Sequence, residues 1–434
     1  MSSLFLAAAH STALPSAWMV IPFVVLLASI ALLPLLAADF WHHHYPKVAV
    51  GLGLITASYY AFGLKDLTSL AHVTQEYVSF MALVGSLFVI SGGIAIRVKG
   101  EATPVVNTVF LAIGAILSNL VGTTGASMLL IRPWIKMNKY RITGLHIVFF
   151  IFIVSNCGGC LTPIGDPPLF LGFLRGVPFW WTLQHCWPAW AACVGLLLAV
   201  FLVLDIVNFR RAPKDVREME TAHEDWTFRG VANLGLLAIV LGSVFIDPKY
   251  AWGPFTLTSV IMIAAGAISY FTSDRSVHEA NDFNFGPVKE VGWLFIGIFL
   301  TMLPALAHLQ SGDAISLKTP LQYYFATGAL SAFLDNAPTY LAFLASEMGS
   351  HHMDVSNVTD VARFAAEHDH ALIAISLGAV FFGAGSYIGN GPNFMVKAIA
   401  DKAKVHAPGF LGYIALYSLP ILLPILAIIG WIFV

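Results

Sequence analysis

The chain has 434 residues, of which 58% are hydrophobic and 11% charged, and its mean hydropathy is +0.79. Soluble chains carry roughly 25% charge, so these values exclude a soluble enzyme, and a net charge of -2 excludes a basic nucleic-acid surface. The 32 Phe, 11 Trp and 36 Gly suit lipid contact, interfacial anchoring and close helix packing.

The first residues, MSSLFLAAAH, lack a basic n-region, and the apolar run after them exceeds a signal peptide's core, so retention is expected. Stretches long enough to cross the bilayer, about 20 residues each, fall at 15–38, 46–64, 77–96, 144–172 and 186–208, then at 230–246, 254–271, 290–308, 371–400 and 409–434. Two further apolar stretches, 105–135 and 320–345, are broken midway by Gly, Asn, Pro or Thr. Their short arms predict helical hairpins that enter and leave by the same face. The expected fold is an all-α polytopic membrane protein with about ten transmembrane helices plus two re-entrant helical hairpins in two inverted repeats.

Lys and Arg sort onto opposite faces under this topology. With both termini outside, five of the 22 basic residues lie outside (Lys65, Arg175, Lys249, Lys318 and Arg363) and the rest lie inside, as the positive-inside rule requires. The charged stretch 209–229 reads as a cytoplasmic linker between a first repeat, 1–208, and a second, 230–434, each with five spans, one hairpin and one broken helix (144–172 and 371–400). An odd number of spans inverts the second half. Internal echoes agree: GSLFVI at 85 with GWLFIG at 292, GAILSNLVGTTG at 114 with GALSAFLDNAPT at 328, and IGDPP at 164 with IGNGP at 388.

Inverted repeats with interrupted helices are the pattern of secondary transporters, whose substrate and coupling ion meet unwound backbone near the midplane. The interruptions here are 118–125, 155–168, 383–393 and the tip of the second hairpin. Three Pro and three Gly within 155–168 cannot remain helical. The polar residues at the breaks are Ser118, Asn119, Thr123 and Thr124; Asn156, Thr162 and Asp166; Asp335, Asn336 and Thr339; and Ser386, Asn390 and Asn393, with Gly165 supplying freed backbone. Oxygen ligands of this kind suit a small hard cation, so Na+ is expected at Asp166, Asp335, Asn336, Asn119 and Asn390, as the transported or coupling ion and with no cofactor. Burial penalises a charged carboxylate, so a site at membrane depth can take either a proton or Na+. The alternative role for Asp166 and Asp335 is to cap the half-helices that follow them, and the two roles are compatible.

Four other features have plainer readings. Cys157-x-x-Cys160 has no second pair for a metal site and reads as small-residue packing. His42-His43-His44 reads as an interfacial anchor, the loop 346–370 with its histidines as a solvated loop able to sense pH, and Arg132 as a snorkelling side chain.

LSAFLDNAPTYLAFL at 330 resembles the Asp-Asn-x-Pro hairpin of D-type sodium/proton antiporters, and SNCGGCLTPIGDPPLF at 155 resembles their Gly-Gly-x-x-(Ser/Thr)-Pro-x-Gly-Asp segment. The chain thus resembles the ion transporter superfamily, closest to those antiporters and to citrate-transporter relatives. The resemblance implies that Asp335, Asn336, Thr339, Gly165 and Asp166 lie in or beside a cation site, and that the protein works as a homodimer in a bacterial inner membrane. The first hairpin departs from the antiporter pattern, with Val121-Gly122 in place of an Asp-Asn pair. Dicarboxylate carriers of the superfamily use paired Ser-Asn-Thr motifs, and here Ser-Asn occurs at 118 and 155 without the Thr. The first expectation is Na+/H+ antiport through embedded carboxylates. The alternative is Na+-coupled citrate or dicarboxylate symport, with the anion held by Ser118, Asn119, Thr123 and Thr124. A membrane enzyme finds no paired metal motif, nucleophile elbow or phosphate loop.

Overall fold

The computed structural model describes residues 14–97, 102–211, 227–246, 250–311 and 317–434. In chain order the helices are α1 (Ile21–Leu36), α2 (Ala38–Ser58), α3 (Leu67–Gly92), α4 (Pro104–Met137), α5 (Gly144–Ile153), α6 (Pro167–Arg175), α7 (Trp181–Arg211), α8 (Asn233–Ser243), α9 (Leu257–Thr272) and α10 (Arg275–Ala280). They continue with α11 (Gly286–Gln310), α12 (Pro320–Ser331), α13 (Asn336–Ser350), α14 (Val358–Glu367), α15 (Asp369–Phe382), α16 (Gly391–Lys402) and a final helix α17 (Phe410–Phe433) containing a π segment. Among the described residues, strands are confined to two short antiparallel ribbons, β1 (Ala95–Arg97) with β2 (Thr227–Arg229) and β3 (Ala251–Trp252) with β4 (Phe255–Thr256). The fold is all-α and polytopic. Most of the expected linker, 212–226, lies outside the described residues; its end forms β2 and docks onto the end of α3.

Among the described residues, seven helices are long and apolar enough to cross a membrane, and the bent pair Val358–Glu367 and Asp369–Gly385 makes an eighth candidate. Six of the seven fall on expected spans. Of the remaining expected spans, α8 and α9 are apolar but have only 11 and 16 residues, and α2 carries a polar first turn and three histidines. The seventh candidate, Pro104–Met137, is the first expected hairpin. Its 34 residues would make a rod of about 50 Å, far longer than a ~30 Å hydrocarbon core, but Gly122 at φ 75° and ψ 155° folds it back. The arms pair in antiparallel order around that glycine: Asn107 with Asn138 through two side-chain hydrogen bonds, Phe110 stacked on Trp134, and Gly114 facing Leu130.

The second hairpin is α12 and α13, with Tyr323 edge-on to Phe343. Both hairpins open alike: Thr103 and Thr319 cap the first turn through their hydroxyls and are each followed by Pro. Proline at the first helical position costs no hydrogen bond, because that N–H has no partner in any helix.

The two broken helices, α5 to α6 and α15 to α16, run through the middle of the molecule. Ile147 to Val154 have no exposed surface, nor do Leu372, Ala374, Ile375, Leu377 and Ala379 to Phe381. A helix that is apolar all round in this way is surrounded by protein. The outer helices instead present Trp18, Phe62, Phe271, Leu411 and Trp431, all more than 70% exposed, as a lipid-facing surface. The loop expected to be merely solvated, 346–370, contains α14, because Val361, Phe364 and Ala365 form an apolar stripe at helical spacing and are buried. His351 stacks on His368 at its end, with ring centroids 3.8 Å apart.

Candidate functional site

All four chain interruptions meet at Asp166. After α5, Asn156 and a tight turn over Cys157–Leu161 lead into a second turn, closed by Gly165 N–H on the Thr162 carbonyl, that ends at Asp166, the residue before Pro167-Pro168 and α6. After α15, a turn over Gly383–Gly385 leads into a bent, non-helical segment that ends at Asn390, before Gly391-Pro392 and α16. Asp166 (φ -143°, ψ 143°) and Asn390 (φ -152°, ψ 141°) thus hold equivalent backbone positions.

Matching hydrogen bonds fasten each hairpin tip to a break. Thr123 N–H donates to the Gly165 carbonyl at 2.7 Å and Asn336 N–H to the Gly389 carbonyl at 3.2 Å. Thr162 and Ser386 donate their hydroxyls to the Asn119 and Ala332 carbonyls at 2.6 and 2.5 Å. The correspondence pairs Gly122-Thr123 with Asp335-Asn336, one residue later than the sequence echo placed it. Gly165 is required by this closeness, since a Cβ there would lie 2.1 Å from the Gly159 carbonyl oxygen.

Asp166 is 1% exposed. Its Oδ1 accepts from the Thr123 hydroxyl at 2.8 Å and from Asn390 Nδ2 at 2.9 Å, and its Oδ2 accepts from Asn336 Nδ2 at 2.5 Å. Its side chain does not cap α6 but reaches across to both hairpins and the other broken helix. Every donor is neutral. The starts of α6 and α16 at the same place add the positive ends of two helix dipoles. Asn336 Oδ1 is buried without a partner, so a carboxylate, a hydroxyl and a free amide oxygen stand together as ligands for a hard cation.

The other expected site residues divide by role. Asp335, half-buried, caps α13 by accepting from Ala337 N–H at 3.0 Å, and Thr339 donates to the Asp335 carbonyl. Asn119 is held in ties rather than in the cage: it donates to the Ala115 and Gly158 carbonyls and accepts from Leu161 N–H. Ser118 donates to the Gly114 and Val154 carbonyls. Asn156 and Asn393 join the two broken helices at 2.7 Å, with Asn393 also bonded to the Gly383 and Ser386 carbonyls. Thr124 lines a narrow cleft that runs from Asp166 between the first hairpin tip and α3, walled by Phe80, Leu83, Val84 and Leu87. The described lining of that cleft contains no Lys, Arg or His.

Two buried ionic groups were not singled out in the sequence. Asp205 on α7 pairs with both terminal nitrogens of Arg141, lies 3.1 Å from His146 Nε2 and accepts from Asn107 at 2.9 Å. Glu76 on α3 pairs with Arg175 at the end of α6. The signal for each was an acid inside or beside an apolar span.

A family model described as "Putative citrate transport" matches residues 11–434. The chain is also similar to "Sodium/proton antiporter 1" of Arabidopsis thaliana, with 28% identity over 263 residues, which is 57% of this chain and 43% of that protein. The match therefore spans less than half of that relative's length. The chain belongs to the matched citrate-transport family, within the ion transporter superfamily, and is a multi-pass membrane transporter.

Proposed function

We propose that this member of the citrate-transport family is a secondary transporter that exchanges Na+ for H+ at Asp166. The carrying observation is the neutral cage: an almost fully buried carboxylate bonded by Thr123, Asn336 and Asn390, with the Asn336 carbonyl oxygen left over. An ionised carboxyl in that position calls for one positive charge, which a cation or a proton supplies. Rotation of the Asn336 and Thr123 groups would turn oxygens toward Na+, whereas a proton satisfies the carboxyl without them. In this reading the halves 1–208 and 230–434 are inverted repeats, the site is loaded alternately from each face of a bacterial inner membrane, and the protein works as a homodimer.

The family description favours a second reading, Na+-coupled uptake of a carboxylate. A citrate anion entering by the cleft would meet Asp166 with no Lys, Arg or His among the described lining residues to offset the repulsion, and Ser118 and Asn119 are already engaged with backbone. The deciding experiment is Na+-induced collapse of an acid-inside pH gradient in everted vesicles, with and without citrate. Collapse by Na+ alone that disappears in Asp166→Asn supports exchange. No response to Na+ alone, together with Na+-dependent uptake of labelled citrate, supports symport and removes the first reading. Asp335→Asn, which retains a helix-capping side chain, tests whether a second charge takes part.

A further inference from the structure

We infer that the Glu76–Arg175 ion pair is the latch of the cleft through which cargo reaches Asp166. This inference rests on the transport reading and adds to it the seam at which the site opens. Arg175 Nη2 donates to Glu76 Oε2 at 2.8 Å and Nε lies 2.7 Å from Oε1, an ion pair whose side chains are 5% and 8% exposed. Arg175 Nη1 also reaches Ser356 Oγ at 3.3 Å. A pair this dry inside an apolar chain is costly to assemble and costly to break one partner at a time. Its two ends belong to two helices that both line the cleft.

Glu76 lies on α3, and the next turns of the same helix, Phe80, Leu83, Val84 and Leu87, form one wall. Arg175 ends α6, which begins just after Asp166 and whose Pro167 and Phe170 line the cleft beside the first hairpin tip. With nine residues, α6 is a stiff rod of about 13 Å that has the cargo carboxylate at one end and the latch at the other. Translation of α6 away from α3 parts the ion pair and widens the cleft together, because a rod of this length does not bend between its ends. Closed, the pair fixes the distance between Asp166 and the apolar wall. Ser356 and Gly176, which packs against Val358, add the segment before α14 to the same closure.

The test places a reporter in the cleft by Val84→Cys, a half-buried wall residue, and measures its labelling in vesicles by a membrane-impermeant maleimide. The four native cysteines are buried, and the chain without the reporter sets the background. Removing both charges with Glu76→Gln and Arg175→Met avoids stranding one of them, and is expected to speed labelling about tenfold from the face where α6 ends, as a shift toward an open population requires. The exchanged pair Glu76→Arg with Arg175→Glu is expected to return labelling toward the native rate. Labelling at the native rate in the charge-free protein, with normal monodispersity in detergent, overturns the latch. The readout needs no transport: fast labelling of the charge-free protein together with no Na+/H+ exchange by the native protein keeps the latch and overturns the exchange reading, whereas exchange by the native protein with unchanged labelling of the charge-free protein does the reverse.

Discussion

The two hairpins are built to one plan and anchored in different ways. At the base of the first, Asn107 and Asn138 bond to each other, and Asn107 continues to Asp205, which holds Arg141 and His146; all five residues are buried. At the base of the second, the ties are neutral: the Tyr323–Phe343 contact and the bond from the Tyr324 hydroxyl to the Leu426 carbonyl at 2.9 Å, while the one ionic contact, Glu347–His351, lies within a single arm and has a histidine that is 35% exposed. The tips differ in the same sense, since Asn119 makes three hydrogen bonds to backbone whereas Ala332 on the matching side has no side-chain bonding groups. The lesson is that equal backbones need not be held by the same chemistry. The first hairpin is fixed to α7 by a buried ionic cluster, and the second to α15 and α17 by neutral bonds, from the Ser331 hydroxyl to the Ala379 carbonyl and from the Tyr324 hydroxyl to the Leu426 carbonyl.

The largest test of this asymmetry is Asp205→Asn, which strands Arg141 in the interior. It should destabilise the protein by about 3–5 kcal/mol, the usual cost of removing one partner of a buried pair; Glu347→Gln in the second hairpin should cost within about 1 kcal/mol. Thermal unfolding in detergent measures both, and equal losses would remove the distinction. Next in size is Asn119→Ala, expected to cost about 1–3 kcal/mol because it leaves Leu161 N–H unpaired. The Gly158 carbonyl remains bonded to Trp190 Nε1. Ser386→Ala, in the break that faces the second tip, removes its bond to the Ala332 carbonyl and should cost about 1 kcal/mol; a larger loss there than for Asn119→Ala would reverse the ranking of the two tips.

The smallest effect concerns an exposed tether of the first hairpin. The Lys402 ammonium beside Asp282 holds that carboxyl below the usual carboxylate range, with Arg132 of the hairpin adding to it. A folded-state value below the unfolded one means that the contribution is present above the unfolded value, about pH 3.9, and is lost as the pH falls through the folded value. Asp282 is half exposed, so the difference between native protein and Asp282→Asn should stay within about 1 kcal/mol and shrink in salt. A difference that persists below pH ~3 would mean that the contact acts through packing.

Both hairpins were legible in the sequence because each break is chemical: Gly122 supplies a positive φ, and Asp335 with Pro338 supplies a cap and an early helix proline. Asp166 was legible because an acid among Gly and Pro at membrane depth has few other uses. What could not be read was the division between ligand and tie. Asn119 and Asn336 are the same residue type at hairpin tips, and only tertiary packing turns one amide toward backbone and the other toward Asp166. The ionic pairs were hidden for another reason, since their partners are 64 residues apart for Arg141 and Asp205 and 99 apart for Arg175 and Glu76. No local pattern joins residues at such separations.

The shortness of α8 and α9 reaches beyond the protein. Helices of 11 and 16 residues rise only about 16 and 24 Å, and their outer faces carry Leu234, Ile239, Ile263 and Phe271 toward lipid. Acyl chains beside them must shorten or tilt to keep that apolar band covered. Where these helices cross the membrane, the bilayer along that flank has to thin to match them, and the thickness of the surrounding lipid then becomes a load on the protein's conformational balance.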